Sequence, residues 1–329
     1  MKHLEPEQFS TEVIRRFGIL GKLQRKIGNT PLIEVVTPPG YGKIFGKCES
    51  YNFGGTVKAR VAFAMLWRLL SQTPAEKVKD LTILEYSGGT LAKCLAKYCQ
   101  ELKIRLVLVL SEATAPSIIN DLRTLNAEVH LTPRDQGFYG VIEQAKQMAK
   151  ENPEWSFLYQ HTNEANQFIH YSTTGEEIIN QLKSDRVDAW VASIGTGGTL
   201  TGVYQKLKQA FPAVKAYATT PAEMPYGTTC APNSKNKFAG SGGLGFGAKQ
   251  PFVAPLEAEI AGHLTFDYAA TLDTMKQFYL DTGTKIGSSS AANLMAALQL
   301  AEQLGPQSVI VTVFPCSGFS EEWQNLLSA

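Results

Sequence analysis

The sequence predicts an α/β protein whose parallel sheets are covered by helices on both faces, and three observations predict it. Apolar runs of strand type alternate with stretches of helical period along most of the chain. The strand candidates are apolar throughout, as in Leu106-Val107-Leu108-Val109, the pattern of strands buried on both faces. The 329 residues provide for two domains or one large α/β unit, with ample core.

The elements follow in chain order. Residues 13–27 are basic and amphipathic, with Ile14, Phe17, Leu20 and Leu23 set among Arg15, Arg16, Lys22 and Arg25, and read as an arm packed on its own protein. Strands are expected at 44–48, 82–86, 104–109, 128–131, 156–159, 189–194, 213–218 and 309–314, each a short apolar run bounded by polar residues or turn formers. Helices are expected at 56–70, 90–102, 117–125, 138–150, 167–182, 198–210, 269–280 and 289–304, where apolar positions recur at three- and four-residue steps. One segment breaks the alternation: residues 221–255 hold six Gly and five Pro in 35 residues, against 28 Gly and 16 Pro in the whole chain. A loop of that length inside a compact α/β protein is expected to be a lid or a binding loop, with the run Gly240-Ser241-Gly242-Gly243-Leu244-Gly245-Phe246-Gly247 as its hinge.

Composition excludes several classes. With 31 Lys+Arg against 30 Asp+Glu there is no basic footprint for nucleic acid or an anionic membrane. The apolar stretch at 106–110 is far short of the ~20 residues a membrane helix needs. After Lys2 and His3 no apolar signal core follows, and Glu5, Glu7 and Glu12 speak against a mitochondrial presequence. The five cysteines, Cys48, Cys94, Cys99, Cys230 and Cys316, are scattered, without C-x-x-C or a His at metal-ligand spacing. No metal site is expected, and the setting is expected to be reducing and cytoplasmic.

Three places read as chemistry. Residues 189–194 run straight into Gly195-Thr196-Gly197-Gly198-Thr199 and then a helix. Free N–H groups at such a helix start form a cup for one terminal phosphomonoester, although the same turn serves packing alone in many proteins. It is neither a Walker loop nor a dinucleotide fingerprint, because no Lys-Ser/Thr follows and Leu200 stands where the third glycine belongs. In Asn52-Phe53-Gly54-Gly55-Thr56-Val57-Lys58-Ala59-Arg60, Thr56 is placed to cap a helix with Lys58 in its first turn. The helix field there favours the neutral amine that a Schiff-base lysine must pass through, and the paired glycines would let a cofactor approach. Gly287-Ser288-Ser289-Ser290 opens the helix before the last strand, as caps or as a hydroxyl aimed at a heterocyclic nitrogen. A lysine, a phosphate cup and a serine together suggest pyridoxal phosphate.

These motifs, in this order, resemble the cysteine synthase and cystathionine β-synthase family of fold-type-II pyridoxal-phosphate enzymes, from Ile27 to Gly318. Ile27-Gly28-Asn29-Thr30-Pro31-Leu32 is similar to the family's N-terminal signature, and His170-Tyr171-Ser172-Thr173-Thr174-Gly175 also matches. The resemblance implies two three-layer αβα domains with mostly parallel sheets, like the tryptophan synthase β-subunit. Residues 43–153 would form the smaller domain, and 1–42 with 154–329 the larger. It implies Lys58 as Schiff-base and catalytic residue, and Gly195 to Thr199 as the cofactor's phosphate site. Ser289 would meet the pyridine nitrogen and Gly89 would stand at the cofactor's phenolic oxygen. Ser87, Gly88, Thr90 and Gln160 would hold the substrate carboxylate.

The departures cluster. The family's Thr-Ser-Gly-Asn-Thr-Gly loop reads Tyr86-Ser87-Gly88-Gly89-Thr90-Leu91 here, so glycine replaces the asparagine that supports the phenolic oxygen, and Tyr86 and Leu91 are expected to make the loop bulkier at both ends. Phe53 replaces a usual proline and Ala59 a usual aspartate, and Pro315-Cys316-Ser317-Gly318-Phe319 lacks the usual charges. A neutral serine at the ring nitrogen makes a weaker electron sink than a carboxylate, which suits β-elimination followed by β-replacement. The implied activity is cysteine-synthase-like: O-acetylserine, O-phosphoserine or serine loses its β-substituent to give an aminoacrylate, which a thiol, sulfide or other nucleophile attacks. A homodimer is implied as well. The alternative is a degenerate, non-catalytic or weakly active homologue that binds cofactor and acts through a protein partner. A nicotinamide dehydrogenase is disfavoured, since no Gly-x-Gly-x-x-Gly follows a strand.

Overall fold

In a computed structural model, residues 11–87, 89–228, 233, 235–240 and 249–328 are described. Gly88, Cys230 and the glycine run 241–247 lie outside them. Among the described residues ten strands form two sheets. β1 (Leu32–Val35), β2 (Lys43–Cys48), β7 (Ala189–Ser193), β8 (Lys215–Pro221), β9 (Ile260–Phe266) and β10 (Val309–Phe314) make a six-stranded sheet in the order β1-β2-β10-β7-β8-β9. Only the β1–β2 pair in it is antiparallel. β3 (Thr82–Tyr86), β4 (Arg105–Ser111), β5 (Glu128–Thr132) and β6 (Ser156–Phe157) make a parallel four-stranded sheet in the order β5-β4-β3-β6.

The apolar strands feed two cores at once. Along β4, Leu106, Leu108 and Leu110 enter one hydrophobic cluster, while Val107 and Val109 enter the cluster on the other face. In β7, Trp190 and Ala192 part in the same way from Ala189 and Val191. Strand alternation therefore places every second side chain in a different helix layer, which is why these runs need no polar face. Both units are αβα sandwiches, as expected.

Three expectations change. β2, assigned with the smaller domain, pairs with β1 and β10 in the larger sheet, and β6, assigned to the larger, pairs with β3 in the smaller. The arm also docks elsewhere than expected: Val13, Leu20 and Leu23 join the smaller unit's cluster with residues of the helices Lys58–Gln72 and Thr90–Leu102. Main-chain pairing and apolar complementarity decide these memberships, and neither is written in local composition. Second, β1, β9 and the helix Ser320–Ser328 were not expected. β1 spans four residues and carries Glu34, too few for a period; β9 did carry one, since Ile260, Gly262, Leu264 and Phe266 are half-buried while the residues between them are exposed. Third, the 167–182 helix is three pieces, Glu164–Ile169 and Gly175–Gln181 flanking a π-turn at His170–Thr174 where Gly175 N–H donates to the His170 carbonyl.

Candidate active site

The chain segments that leave β2, β3, β6, β7, β8 and β10 converge on one cavity of about 280 Å³ between the sheets. That is the carboxyl-end crevice where open α/β sheets bind ligands. Lys58 is the first residue of the helix Lys58–Gln72 and lines this cavity. The N-cap is Val57 and not Thr56 as expected, though Thr56 Oγ1, one residue earlier, accepts the Lys58 N–H at 3.2 Å. The helix start is pinned to the end of β10: Val57 N–H donates to the Pro315 carbonyl at 2.8 Å, and Thr56 bridges Cys316. Burial lowers the Lys58 ammonium to about 8, against weak opposition from Cys316 and Cys94. No Asp or Glu lines the cavity among the described residues, so the amine has no carboxylate to hold its proton. Gly54 and Gly55 do not line it. They serve the turn before the lysine, with φ +78° and +72°.

Gly195, Thr196, Gly197 and Thr199 form the opposite wall, where the helix Gly198–Ala210 opens on the cavity. A Cβ on Gly195 would stand 2.2 Å from the Gly240 carbonyl, and one on Gly197 (φ +87°) 2.4 Å from Val253 Cγ2. Gly198 lies behind the wall, where a Cβ would meet Asn166 Oδ1 at 2.4 Å. Asn166 supports the loop by donating Nδ2 to Thr196 Oγ1 at 2.9 Å and to the Gln160 carbonyl at 2.8 Å. Thr199 Oγ1 meets His170 Nε2 at 3.1 Å, so the π-turn buttresses the cup. Of the three serines, Ser288 bonds Glu322 and Ser290 bonds the Cys316 carbonyl, whereas Ser289 lines the cavity.

The lysine, the tight donor-rich cup and the free-facing serine fit pyridoxal phosphate, the cofactor the resemblance implies. The fit rests on the turn at the helix start, where Gly240 and Val253 leave no room for a Cβ on Gly195 or Gly197, and on an amine that loses its proton near neutrality.

The substrate side departs from expectation. Ser87, Gly89, Thr90, Leu91 and Gln160 line the cavity, and Gly88 is outside the described residues. Ser87 Oγ accepts the N–H groups of Gly89 and Ala92, each at 3.2 Å, and so caps the helix Thr90–Leu102. Gln160 Nε2 donates to the Tyr86 carbonyl at 2.7 Å. Gly89 has φ +150°, a backbone that L-residues avoid, so the loop is built for glycine and is not simply short of an asparagine. Tyr86 does not crowd the loop. Its side chain is fully buried beneath it, against Phe138, Phe157, Tyr159 and His161.

Sequence reasoning missed His161, Lys237, Phe238, Phe138 and Cys316, all of which line the cavity. Lys237 and Phe238 come from the Gly/Pro-rich segment that was read as a binding loop, and His161 follows Gln160 directly, so position alone could have flagged them. Cys316 was read as one of the scattered thiols, and burial pushes it up to about 11.

Beneath the lysine helix lies a buried ionic cluster. Arg60 Nε pairs with Glu49 Oε2 at 2.7 Å and its NH1 with Glu177 Oε1 at 2.7 Å, and Lys47 pairs with Glu177 at 2.8 Å. Thr30 Oγ1 donates to Glu49 and the Thr30 carbonyl accepts from Lys47, while Gly28 N–H donates to Asn52. The N-terminal signature is thereby a brace for the lysine helix. Among the described residues no group of three or more His, Cys, Asp or Glu is placed to hold a metal ion, and no helix is long and apolar enough to cross a membrane.

Comparison with known proteins agrees with this geometry. A family model described as pyridoxal-phosphate dependent enzyme matches residues 23–315. A cysteine synthase of Staphylococcus aureus is 30% identical over 295 residues, 89% of this chain and 92% of the relative. A hydrogen sulfide-producing enzyme from Fusobacterium nucleatum has a TM-score of 0.79 at 26% identity, covering 92% of this chain and 98% of that one. An O-acetylserine dependent cystathionine β-synthase from Helicobacter pylori has a TM-score of 0.80 at 26% identity, covering 92% and 96%.

Proposed function

The chain belongs to the pyridoxal-phosphate dependent enzyme family, and from that premise we propose that it performs β-replacement on a β-substituted L-alanine with sulfide or another thiol as nucleophile. The coarser chemistry, pyridoxal-phosphate-dependent β-replacement or β-elimination, is that of its relatives. O-acetylserine, O-phosphoserine and serine are the proposed donors. The observation that carries the reading is Lys58, half-buried in the same cavity as the glycine cup, with no carboxylate among the described lining residues to hold its proton.

When bound, pyridoxal phosphate supplies the electron sink that acidifies the substrate's α-proton. Gly195, Thr196, Gly197 and Thr199 would hold its phosphate on the helix N-terminus, with Gly198 giving the helix its close seat on Asn166. Ser289 would donate to or accept from the ring nitrogen. Lys58 would carry the cofactor through Nζ, yield it to the substrate amine, and then take the α-proton as general base. An ammonium that deprotonates near 8 is well matched to that duty at neutral pH. Phe138, Phe238 and Phe319 line the same cavity and would exclude water from the reaction. Lys58, the cup and Ser289 face one space, which favours turnover over a partner-binding chain without activity. A homodimer and a cytoplasmic setting belong to the same proposal. Cys48, Cys94, Cys99 and Cys316 are all free thiols, in keeping with a reducing compartment.

Purified protein reconstituted with the cofactor is expected to absorb in the visible, and Lys58→Ala to abolish both that lysine-dependent absorbance and turnover. Absorbance unchanged in Lys58→Ala would sink the assignment. Product mass from a panel of β-substituted alanines and thiols names the substrates, and light scattering reads the oligomer.

A further inference from the structure

Resting on that functional reading, we propose that His161 recognises the substrate's α-carboxylate through its Nε2–H, and that Tyr86 is the positioning residue that fixes the imidazole. The geometry begins with what the other wall groups already do. Gln160, the residue expected to hold the carboxylate, gives one Nε2 hydrogen to the Tyr86 carbonyl at 2.7 Å and its backbone N–H to Glu85 Oε2 at 3.2 Å, which leaves one amide hydrogen. Its carbonyl accepts from Asn166. Ser87 Oγ accepts two N–H groups and keeps one proton to donate. His161, the next residue, lines the cavity, is 2% exposed, and its Nε2 has no partner in the protein.

The ring's other nitrogen explains why Nε2 is a donor. Tyr86 O–H meets His161 Nδ1 in a short hydrogen bond, and the two rings lie nearly parallel, 17° apart. Nδ1 is the phenol's hydrogen-bond partner among the described residues, so the phenolic proton points at it. Burial keeps both groups neutral, pushing the imidazolium down to about 3 and the phenol's ionisation upward. A neutral imidazole that accepts at Nδ1 carries its proton on Nε2. A buried donor without a protein acceptor, at the wall of a ligand cavity, calls for an acceptor on the ligand. An amino-acid carboxylate accepts only, and a hydrogen bond to it is charge-assisted. Tyr86 stands where the resembling family has threonine, so the device belongs to the altered part of this chain.

The test uses holoenzyme and two unreactive ligands, L-alanine and L-alaninamide, which share the amine and methyl group and differ only in the carboxylate. Dissociation constants come from the change in cofactor absorbance on titration. His161→Phe is expected to weaken L-alanine binding by about ten- to a hundredfold, the worth of a charge-assisted hydrogen bond, while alaninamide stays within about twofold. His161→Gln, which can place a donor at similar reach, is expected to restore most of the preference. Tyr86→Phe, which frees the tautomer, is expected to cost about three- to tenfold for L-alanine alone. Equal losses for both ligands, or no loss in His161→Phe, overturn the assignment. If His161→Phe does not fold, Tyr86→Phe decides: an unchanged ratio of the two dissociation constants overturns it. Wild-type protein without cofactor absorbance would instead overturn the functional reading, and this assignment with it.

Discussion

Lys58 stands between two buried polar clusters built on opposite principles. Behind its helix, Lys47, Glu49, Arg60 and Glu177 are charged, and each is held by a partner of opposite sign. Across the cavity, Glu85, Tyr86 and His161 are equally buried, yet no cation pairs with the carboxyl and no anion with the imidazole among the described residues. In the first cluster Arg60 and Lys47 hold the Glu177 carboxyl down to about 2 despite burial. In the second, burial pushes the Glu85 carboxyl up to about 8, although the Tyr86 and Gln160 N–H groups oppose it. The difference teaches that the same desolvation yields a rigid ionic brace where countercharge is supplied and a set of neutral hydrogen-bonding groups where it is not. The brace lies against the lysine helix; of the neutral set, His161 lines the cavity.

The sharpest way to break the comparison is Arg60→Met. It leaves Glu49 fully buried without its guanidinium, and the expected cost is about 3–5 kcal/mol in urea unfolding, because an unpaired buried charge is left behind. A loss below about 1 kcal/mol would show that the cluster is solvated or dispensable. Next in size is the pH dependence, where the two clusters pull in opposite directions. Glu177, with its folded pKa below the ordinary 4.5, contributes stability that is present above pH 4.5 and lost as pH falls toward 2. Glu85, with its folded pKa above 4.5, makes stability fall as pH rises from 4.5 to about 8, by up to about 1.4 kcal/mol per pH unit. Glu85→Gln removes the titrating proton while keeping an acceptor for one of the two N–H groups, from Tyr86 and Gln160, that the carboxyl receives, and is expected to flatten that alkaline limb while leaving the acid limb in place. An unchanged alkaline slope would place the titration elsewhere. The smallest expected effect is Gly89→Ala. The added Cβ meets Ile118 and Phe319 at ordinary contact distances of 3.5 Å, so only the backbone at φ +150° is penalised, by about 1–2 kcal/mol in thermal unfolding. A neutral result would mean that the loop relaxes to a backbone open to other residues.

The frame of the site was legible because its chemistry sits in short contiguous motifs. Lys58 on a helix start, the Gly195–Thr199 cup and Ser289 at the next helix opening are each a local relation between residue type and backbone, and local relations survive without a fold. The eight strands foreseen were short apolar runs, local relations of the same kind. What stayed hidden depends on residues far apart. Tyr86 read as bulk in the substrate loop, and only packing turned its side chain into the protein to meet His161, 75 residues away. Gln160 read as a ligand of the substrate carboxylate, and the fold gives one of its amide hydrogens to a carbonyl 74 residues back. The domain edges moved because β2 and β6 are claimed by backbone hydrogen bonds to β10 and β3, which leave no trace in composition.

The sequence by itself determined the α/β class and the cofactor, and it placed Lys58 at a helix start and Gly195–Thr199 at a strand-to-helix turn, since spacing along a strand or helix places such groups whatever surrounds them. Only the tertiary structure decided which polar groups meet in the dry interior. Burial cost and partner geometry set a side chain's charge, tautomer and availability to a ligand, and both arise only when distant segments pack together.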